Sequence, residues 1–278
     1  MPELPEVETV RRALLPLLVG RRVARVELRR EDVVVGSRTG EALLEGATIR
    51  GIERRGKQMA IVGEARGVRR VLVVHLGMTG QLVHHARAEA LSSTTHVHAL
   101  WTVERGARGG GVLMFRDPRR FGGLWTLEGE EALRLRWALL GPDGLGVEAE
   151  TLRERAGASR RSIKAALLDQ WVVAGVGNIY ADEALFLAGI RPRRMCARLS
   201  VREWMVLAGA VREVLARAIE HGGSTVRDYV GGTGEPGRAQ LIHAVYGRAG
   251  EGCVRCGGVL RGGVVAQRTT VWCPVCQK

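Results

Sequence analysis

The chain has 278 residues, of which 46% are hydrophobic and 26% charged, a balance typical of a globular protein and unlike that of a disordered one. No apolar run comes near the roughly 18 residues of a membrane span, and the acidic start Pro2-Glu3-Leu4-Pro5-Glu6 lacks the basic segment of a secretion signal, so we expect a cytoplasmic protein. The 42 Lys and Arg residues outnumber the 29 acids, and the net charge of +13 favours a nucleic-acid partner over the alternative of biased codon usage.

The first part of the chain, residues 1–135, is predicted to form one helix followed by an antiparallel β-sandwich. The helix is expected over residues 5–19, with Pro5 in its first turn and apolar residues on one face. Short apolar runs bounded by Gly- and Arg-rich turns then indicate strands. They are Val23–Leu28, Thr48–Glu53, Met59–Val62, Val68–Leu76, His98–Val103 and Val112–Phe115.

A Gly-Pro-Asp-Gly turn at 141–144 lies in a predicted linker, 136–149, after which the pattern becomes helical. We expect a helix–two-turns–helix domain over 150–245, which makes the fold an α+β arrangement of several domains. Ser200 and Glu203 have the spacing of a capping box and should begin a long helix that ends near residue 220. Shorter helices are predicted at Thr151–Ala156, Ile163–Gln170 and Ile179–Ala188, and a flexible Gly-rich segment at 231–237.

The last segment, residues 246–278, contains two CxxC pairs separated by sixteen residues: Cys253 with Cys256, and Cys273 with Cys276. This spacing predicts one structural Zn²⁺, because four thiolates fill a tetrahedral ion and leave no open position. A redox CxxC needs a single pair in another context, and a protein-binding zinc ribbon remains an alternative. The surplus of arginines in the segment favours contact with phosphates.

Three acids, Glu3, Glu6 and Glu8, crowd the start of this basic chain. Acids in a first helical turn offset the positive end of the helix dipole, which accounts for Glu6 and Glu8 and leaves Glu3 unexplained. If Met1 is removed, Pro2 carries a free secondary amine, a group that titrates near pH ~8 and can form a Schiff base. Glu3, its neighbour, can then serve as a general acid or base.

Five blocks of sequence match one enzyme family, in family order and along the whole chain. They are Met1-Pro2-Glu3-Leu4-Pro5-Glu6-Val7-Glu8-Thr9-Val10-Arg11-Arg12, His75-Leu76-Gly77-Met78-Thr79-Gly80, Asp117-Pro118-Arg119-Arg120-Phe121-Gly122, Gly175-Val176-Gly177-Asn178-Ile179-Tyr180-Ala181 and Gln267-Arg268-Thr269-Thr270. On these residues the chain resembles the formamidopyrimidine-DNA glycosylases. The resemblance implies a bifunctional enzyme that excises oxidised purines from duplex DNA through a Schiff base and cleaves the strand by β- and δ-elimination.

The resemblance also implies roles for individual residues. Pro2 corresponds to the nucleophile, Glu3 to the proton donor, and Glu6 to a residue that orders the site. Lys57 and Arg268 correspond to residues that contact phosphate and assist elimination. Residues expected to contact DNA are Met78, Arg119 and Phe121, which fill the space left by the flipped base, together with Asn178, His96 and Arg120. Without the family, Lys57 would be a solvated charge, and Met78 and Phe121 would be assigned to the core.

Two departures from the family pattern stand out. Where the family has a His-x-His-Val run, Thr94-Thr95-His96-Val97 keeps only the second histidine, so one phosphate contact is expected to be lost or replaced. In the loop that covers the lesion, Ala239 stands where an aromatic residue is usual, which should affect the packing of that loop.

Two alternatives remain open from the sequence. The endonuclease VIII enzymes share the fold but prefer oxidised pyrimidines; Leu4, Phe121 and the long 224–240 loop favour the purine enzyme. A zinc-ribbon protein that binds damaged DNA without catalysis is less favoured, because Pro2 and Glu3 are intact. We expect a monomer with no nucleotide cofactor.

Overall fold

A computed structural model describes residues 2–87, 94–106 and 109–278. Met1 lies outside the described residues, so its removal stays a prediction. The contacts divide the chain into two compact units: unit 1 comprises Met1–Ala138 and His221–Arg238, and unit 2 comprises Leu139–Glu220 and Ala239–Lys278. Within the described ranges, no helix combines the length and apolar character needed to span a membrane. The finer division into a linker, a helical domain and a zinc finger stays a prediction.

Helix α1 (Leu4–Leu18) opens unit 1 and confirms the first predicted helix, with Pro5 in its first turn. Its apolar face is buried, and so is Glu8, whose carboxylate accepts hydrogen bonds from three arginines, Arg11, Arg12 and Arg54. Burial by itself would raise the pKa of Glu8, but these hydrogen bonds lower it to about 2. Glu8 therefore remains ionised and ties α1 to the strand that carries Arg54.

Unit 1 is otherwise a β-sandwich of two sheets, one of four strands in the order β1-β7-β8-β6 and one of five in the order β2-β9-β5-β4-β3. Buried residues of α1 and of both sheets form one continuous core, which includes Leu14, Ile61 and Trp101. The strands are β1 (Val23–Leu28), β2 (Val34–Val35), β3 (Thr48–Arg55), β4 (Gln58–Ala65), β5 (Val68–His75), β6 (Gln81–His85), β7 (Val97–Gly106), β8 (Gly109–Arg116) and β9 (Gly123–Glu128).

The structure differs from the predicted N-terminal domain in three respects. The short strands β6 and β9 were missed, and so was the polar helix α2 (Gly129–Ala138), which buries only Leu133 and therefore has little apolar periodicity. The sandwich is not wholly antiparallel, because β2 pairs in parallel with β9. Two residues of β2 are too few to carry a sequence signal for either direction of pairing.

Unit 2 contains α3 (Ala149–Ala156), α4 (Ile163–Leu168), α5 (Asn178–Ala188), α6 (Val201–Glu220) and the hairpin of β10 (Arg261–Val265) and β11 (Arg268–Trp272). The capping box of α6 is confirmed: Ser200 N–H donates to Glu203 Oε2 at 2.8 Å, and Glu203 N–H donates to Ser200 Oγ at 3.3 Å. The prediction that α4 extends to residue 170 was wrong. Asp169 adopts an extended backbone and its carboxylate accepts the N–H of Trp171, which ends the helix.

Candidate active site and nucleic-acid contacts

The amino end of α1 places three predicted site residues, Pro2, Glu3 and Glu6, together, and all three are buried. The Glu6 carboxylate accepts the backbone N–H of Glu3 through Oε2 at 2.7 Å. Its other oxygen, Oε1, accepts the backbone N–H of Ser224 at 2.7 Å. Glu6 therefore fixes the backbone next to Pro2 and connects it to a segment more than two hundred residues further along the chain.

That segment, His221–Arg238, is here called the covering loop. Its Gly223 has a left-handed φ of +79°, and a Cβ at this position would lie 3.0 Å from Glu6 Oε1, so glycine permits the close approach. The Tyr229 hydroxyl lies 3.2 Å from the carbonyl oxygens of Glu6 and Gly222, to which it donates. Burial, followed by the charge of Glu6, raises the pKa of Tyr229, so this hydroxyl stays protonated and remains a donor.

The covering loop is also held by strand β6. Gln81 Nε2 donates to the carbonyl of Asp228, and His84 N–H donates to the carbonyl of Gly232 at 2.8 Å. The sequence predicted a flexible segment at 231–237 and, from the family, a loop that covers the lesion, but it did not predict these anchors, because glycines indicate freedom of the backbone and not its partner. Ala239 follows the loop, buried in a short 3₁₀ helix of unit 2, and its effect on the loop stays a prediction.

Lys57 lies at the turn between β3 and β4, half-buried, and its charge acts on His75 of β5. His75 Nδ1 accepts the backbone N–H of Gly77 at 3.1 Å, and its neighbour in the sheet is Gln58. Burial, then the charges of Lys57 and Arg136, lower the pKa of His75 to about 4. His75 was not predicted as a site residue, although it is the first residue of the family block at 75–80.

This lowered pKa predicts a pH-dependent stability. The unfolded chain protonates His75 near pH ~6.5 and the folded chain only near 4, so the folded state loses stability as pH falls through this window. Between pH ~7 and ~5 the loss should be about 2 kcal/mol. The free energy of unfolding can be measured with urea at both pH values, for the unmodified protein and for His75→Gln. The variant retains a hydrogen-bond acceptor but does not titrate, so its loss of stability between the two pH values should be smaller by about 2 kcal/mol. An equal loss in both proteins would contradict the assignment.

Two turns, residues 76–80 and 117–122, lie against each other and are here called the double turn. They present Met78, Arg119 and Phe121 to solvent: Met78 is 38% exposed and Phe121 is 59% exposed, so neither belongs to the core. The Arg119 guanidinium lies 5.6 Å from the centre of the Phe121 ring, within the range of a cation–π contact. The structure therefore brings the three predicted base-replacing residues onto one projecting feature.

The neighbouring predicted contacts, Arg120 and His96, are both exposed and both have a left-handed backbone, with φ of 55° and 61°. Arg120 forms an ion pair with Asp32 at 2.7 Å. Exposed pairs of this kind contribute little to stability, and a phosphate can compete with the carboxylate. The carbonyl of His96 accepts the backbone N–H of Asp117, which links His96 to the double turn.

In unit 2, Asn178 is the first residue of α5, a position suited to binding anions. Its Nδ2 donates to the carbonyl of Thr269 at 3.0 Å, while Oδ1 is buried without a hydrogen-bond partner among the described residues. Arg268, exposed, begins β11 directly after Ala266 and Gln267, which form a tight turn with φ of 48° and 57°. Asn178 thus contacts the same strand that carries Arg268.

A buried ion pair beneath this strand was not predicted. Lys164 Nζ lies 2.6 Å from Asp182 Oδ1, both side chains are fully buried, and Lys164 also donates to the hydroxyl of Thr270. Asp182 Oδ2 accepts the backbone N–H of Val271. A buried ion pair of this kind helps to specify one packing arrangement of the elements that carry it, and removing either partner leaves an uncompensated charge. The pair fixes β11, and with it Arg268, on helices α4 and α5.

The four cysteines of the tail converge on one point. Their sulfurs all lie within 4.8 Å of one another, with Cys253 and Cys276 at 3.9 Å and Cys256 and Cys273 at 3.5 Å. A tetrahedral zinc with Zn–S bonds of about 2.3 Å requires S–S distances of about 3.8 Å. The geometry therefore fits one structural Zn²⁺. Around it, Leu260 and Val271 of the ribbon share a small core with α5 and the segment before the ribbon.

Comparison with known proteins gives a consistent result over the whole chain. Three family models match it: the formamidopyrimidine-DNA glycosylase N-terminal domain at 1–124, the H2TH domain of the same proteins at 140–230, and a zinc finger found in FPG and IleRS at 250–278. Formamidopyrimidine-DNA glycosylases from Xanthomonas campestris and Geobacillus kaustophilus are each 44% identical, and each alignment covers 100% of both chains.

Solved structures agree with these relatives. A Lactococcus lactis FPG mutant in complex with Fapy-dG-containing DNA superposes with a TM-score of 0.89, at 35% identity and 100% coverage of both chains. The Lactococcus enzyme with abasic-site DNA gives a TM-score of 0.88 at 35% identity, covering 99% of each chain. The Thermus thermophilus MutM (FPG) protein gives 0.84 at 41% identity, covering 99% of this chain and 98% of that one.

Proposed function

Because the chain belongs to the formamidopyrimidine-DNA glycosylase family, we propose that it acts through the amine of Pro2 and that Glu3, Glu6, Lys57 and Arg268 assist. Family membership makes the protein a DNA glycosylase with abasic-site lyase activity that removes oxidised purines from duplex DNA. The wild-type Lactococcus enzyme has also been crystallised with DNA containing an oxidised pyrimidine. We propose that the oxidised purine remains the preferred substrate here.

The chemistry starts once Met1 is removed. The lone pair of the Pro2 nitrogen attacks C1′ of the damaged nucleotide, and the bond from C1′ to the base breaks, so the base leaves with the electron pair and takes up a proton. The proline nitrogen, protonated by bond formation, loses its own proton and so regains the lone pair that the next step uses. Glu3 donates a proton to the ring oxygen O4′, which opens the sugar and leaves an iminium between C1′ and the proline nitrogen. Loss of a C2′ proton then expels the 3′ phosphate, and a second elimination expels the 5′ phosphate.

Binding of its phosphates would position the DNA strand for these eliminations. Lys57 in unit 1 and Arg268 and Asn178 in unit 2 are cations or donors suited to phosphate oxygens. We assign His96 and Arg120 to the same role, Arg120 after exchanging Asp32 for a phosphate. The buried pair of Lys164 and Asp182 supports this assignment, because it holds the strand that bears Arg268.

The exposed residues of the double turn would replace the flipped nucleotide. Extruding a base costs a few kcal/mol of lost stacking, which inserted side chains partly offset. Phe121 is suited to insertion between base pairs, and Met78 to filling the space beside it. Arg119, with its donors in a planar fork, can hydrogen-bond the base left unpaired opposite the lesion. Their exposure supports this role, since large apolar side chains on a surface commonly mark a binding site.

The assignment depends most on one observation: the buried Glu6 carboxylate that connects the residue next to Pro2 to the covering loop. Glu6→Gln keeps one acceptor, which we expect to stay on the backbone N–H of Glu3, and turns an amide N–H₂ towards the backbone N–H of Ser224 in the covering loop. We expect excision of 8-oxoguanine opposite cytosine to fall about 10- to 100-fold, as for loss of a hydrogen bond to a charged group, while cleavage of an abasic site changes little.

Single-turnover assays on the two duplexes measure this difference, and a third duplex with thymine glycol opposite adenine tests the lesion class. A preference of the unmodified protein for thymine glycol would overturn the purine assignment. Equal losses of Glu6→Gln on 8-oxoguanine and on the abasic site would show that Glu6 does not act through the covering loop.

We further propose that the protein works as a monomer in the cytoplasm, bound to DNA. Its surplus of basic residues favours that association, and the related structures hold DNA with this fold. The role of the zinc is to stabilise the ribbon, with four thiolates closing its coordination.

A further inference from the structure

A buried carboxylate, Asp117, lies beneath the double turn, and the chemistry above makes no use of it. Its side chain is fully buried. The hydroxyl of Thr79 donates to Asp117 Oδ1 at 2.5 Å, and the backbone N–H of Gly122 donates to Oδ2 at 2.7 Å. One carboxylate therefore joins the two turns, which are about forty residues apart in the chain.

The same group holds the backbone of Arg119. The N–H of Arg119 lies 3.2 Å from Thr79 Oγ1 and 3.3 Å from Asp117 Oδ1, and both oxygens accept it. The Thr79 hydroxyl thus donates to the carboxylate and accepts from the arginine backbone. Neither position of the pair is open to solvent, since Thr79 is buried as well.

The backbone of Asp117 is itself held by strand β7 and by the residue that precedes this strand. Its backbone N–H donates to the carbonyl of His96 at 3.2 Å, and its own carbonyl accepts a hydrogen bond from Nε2 of the buried His98 at 2.8 Å. The aspartate is thus held through its backbone as well as its side chain. It cannot shift without breaking contacts on both sides.

The two turns also meet backbone to backbone. Gly77 has a left-handed φ of +59°, and a Cβ there would lie 2.3 Å from both Phe121 C and Gly122 N. At this point backbone packs directly on backbone, so there is no flexible side chain end that could adjust to a displacement. The backbone of Arg119 thus lies in a turn that is held both by this close packing and by the hydrogen bonds to Thr79 and Asp117.

We propose that Asp117, together with Thr79, is a positioning residue that presets Arg119 and so determines how strongly the enzyme discriminates the base opposite the lesion. The inference rests on the proposed function, in which Arg119 contacts that base. A side chain that extends from a fixed backbone loses less conformational entropy when it binds, and its hydrogen bonds then select one base by geometry. When the hydrogen bonds of Thr79 or Asp117 are lost, the double turn becomes more mobile and the guanidinium of Arg119 can adapt to an incorrect base. The chemistry at Pro2 is unchanged.

The test compares single-turnover excision of 8-oxoguanine opposite cytosine and opposite adenine. Thr79→Val, which removes the hydroxyl at nearly constant volume, and Asp117→Asn should each lower the ratio of the two rates roughly tenfold. Thr79→Ser keeps the hydroxyl and should keep the ratio within about twofold, as should the core truncation Ile61→Ala, which lowers stability elsewhere in unit 1. Cleavage of a preformed abasic site should be equal in all four variants.

Arg119→Ala separates the two ideas. If it leaves the ratio unchanged, the reading of the opposite base by Arg119 is wrong, and the positioning role falls with it. If Arg119→Ala lowers the ratio but Thr79→Val does not, the positioning role alone is overturned. The same conclusion follows if Ile61→Ala lowers the ratio as much as Thr79→Val does. Should Asp117→Asn fail to fold, the pair of Thr79 variants decides.

Discussion

Replacing Pro2 with glycine is expected to reduce both base excision and borohydride trapping of the protein on abasic DNA by a factor of at least about 100. Glycine at this position still offers an amine, but it lacks the ring that fixes its direction, and a misplacement of about 1 Å at a reacting atom has an effect of that size. A secondary amine also yields an iminium that stays cationic at every pH. The imine from glycine must first be protonated to withdraw electrons.

A second protein, extended by two residues that stay in front of Pro2, provides the sharper comparison. The extension converts the amine into an amide whose lone pair is delocalised, so trapping should fall to background. Binding to duplex DNA serves as the control, since neither change touches the double turn or the zinc ribbon. Trapping at the normal level in the extended protein would place the nucleophile elsewhere, with Lys57 the first candidate. Intact mass of the purified protein shows whether Met1 is removed.

Loss of the zinc ion should affect DNA binding as strongly as loss of Pro2 affects chemistry. Cys273 is fully buried and belongs to the small core that also contains Leu260 and Val271. Cys273→Ser is expected to lower the zinc content from one ion per chain to near zero, because it removes one of the four thiolates that close the tetrahedral site. Structural zinc contributes about 10–16 kcal/mol to the folding of such a site, so the ribbon should lose its fold together with the ion. The hairpin would then no longer hold Arg268, and affinity for abasic duplex should fall about 100-fold or more.

Cys196→Ala is the matched control for this prediction. Cys196 is also fully buried, but it lies outside the group of four converging sulfurs. This variant should retain one zinc per chain and bind DNA as the unmodified protein does. Metal content by atomic spectroscopy and binding by fluorescence anisotropy measure both effects. A Cys273→Ser protein that still binds one zinc and the duplex would contradict the structural role of the metal.

Features set by residues close in sequence were predictable. The capping box of Ser200 and Glu203, the amphipathic face of α1 and the spacing of the CxxC pairs each involve neighbours, and the structure confirms all three. Their signals depend on local hydrogen bonds or on the helical period, which any short window of sequence contains. The same holds for strand β1, whose predicted bounds agree with the structure.

Features set by distant partners were not predictable. Nothing near Glu6 indicates that its carboxylate binds the backbone of Ser224, and nothing near Lys164 indicates Asp182. Composition also misassigns Met78 to the core, since an apolar residue is usually buried, and only family resemblance corrects this. Sequence periodicity reports which face of an element is apolar, but it does not report which element lies opposite.

The contact between Glu6 and Ser224 also bears on the order in which the molecule is made. The two residues are 218 positions apart, so a ribosome adding about 5–20 residues per second completes the pair about 10–40 s after Glu6 is synthesised. Until then the sandwich strands are present but the covering loop is not, and the residues that hold zinc are made later still. A nascent chain therefore contains the reactive proline long before it contains the covering loop and the zinc-binding residues. The ability to cut DNA is expected only at the end of synthesis.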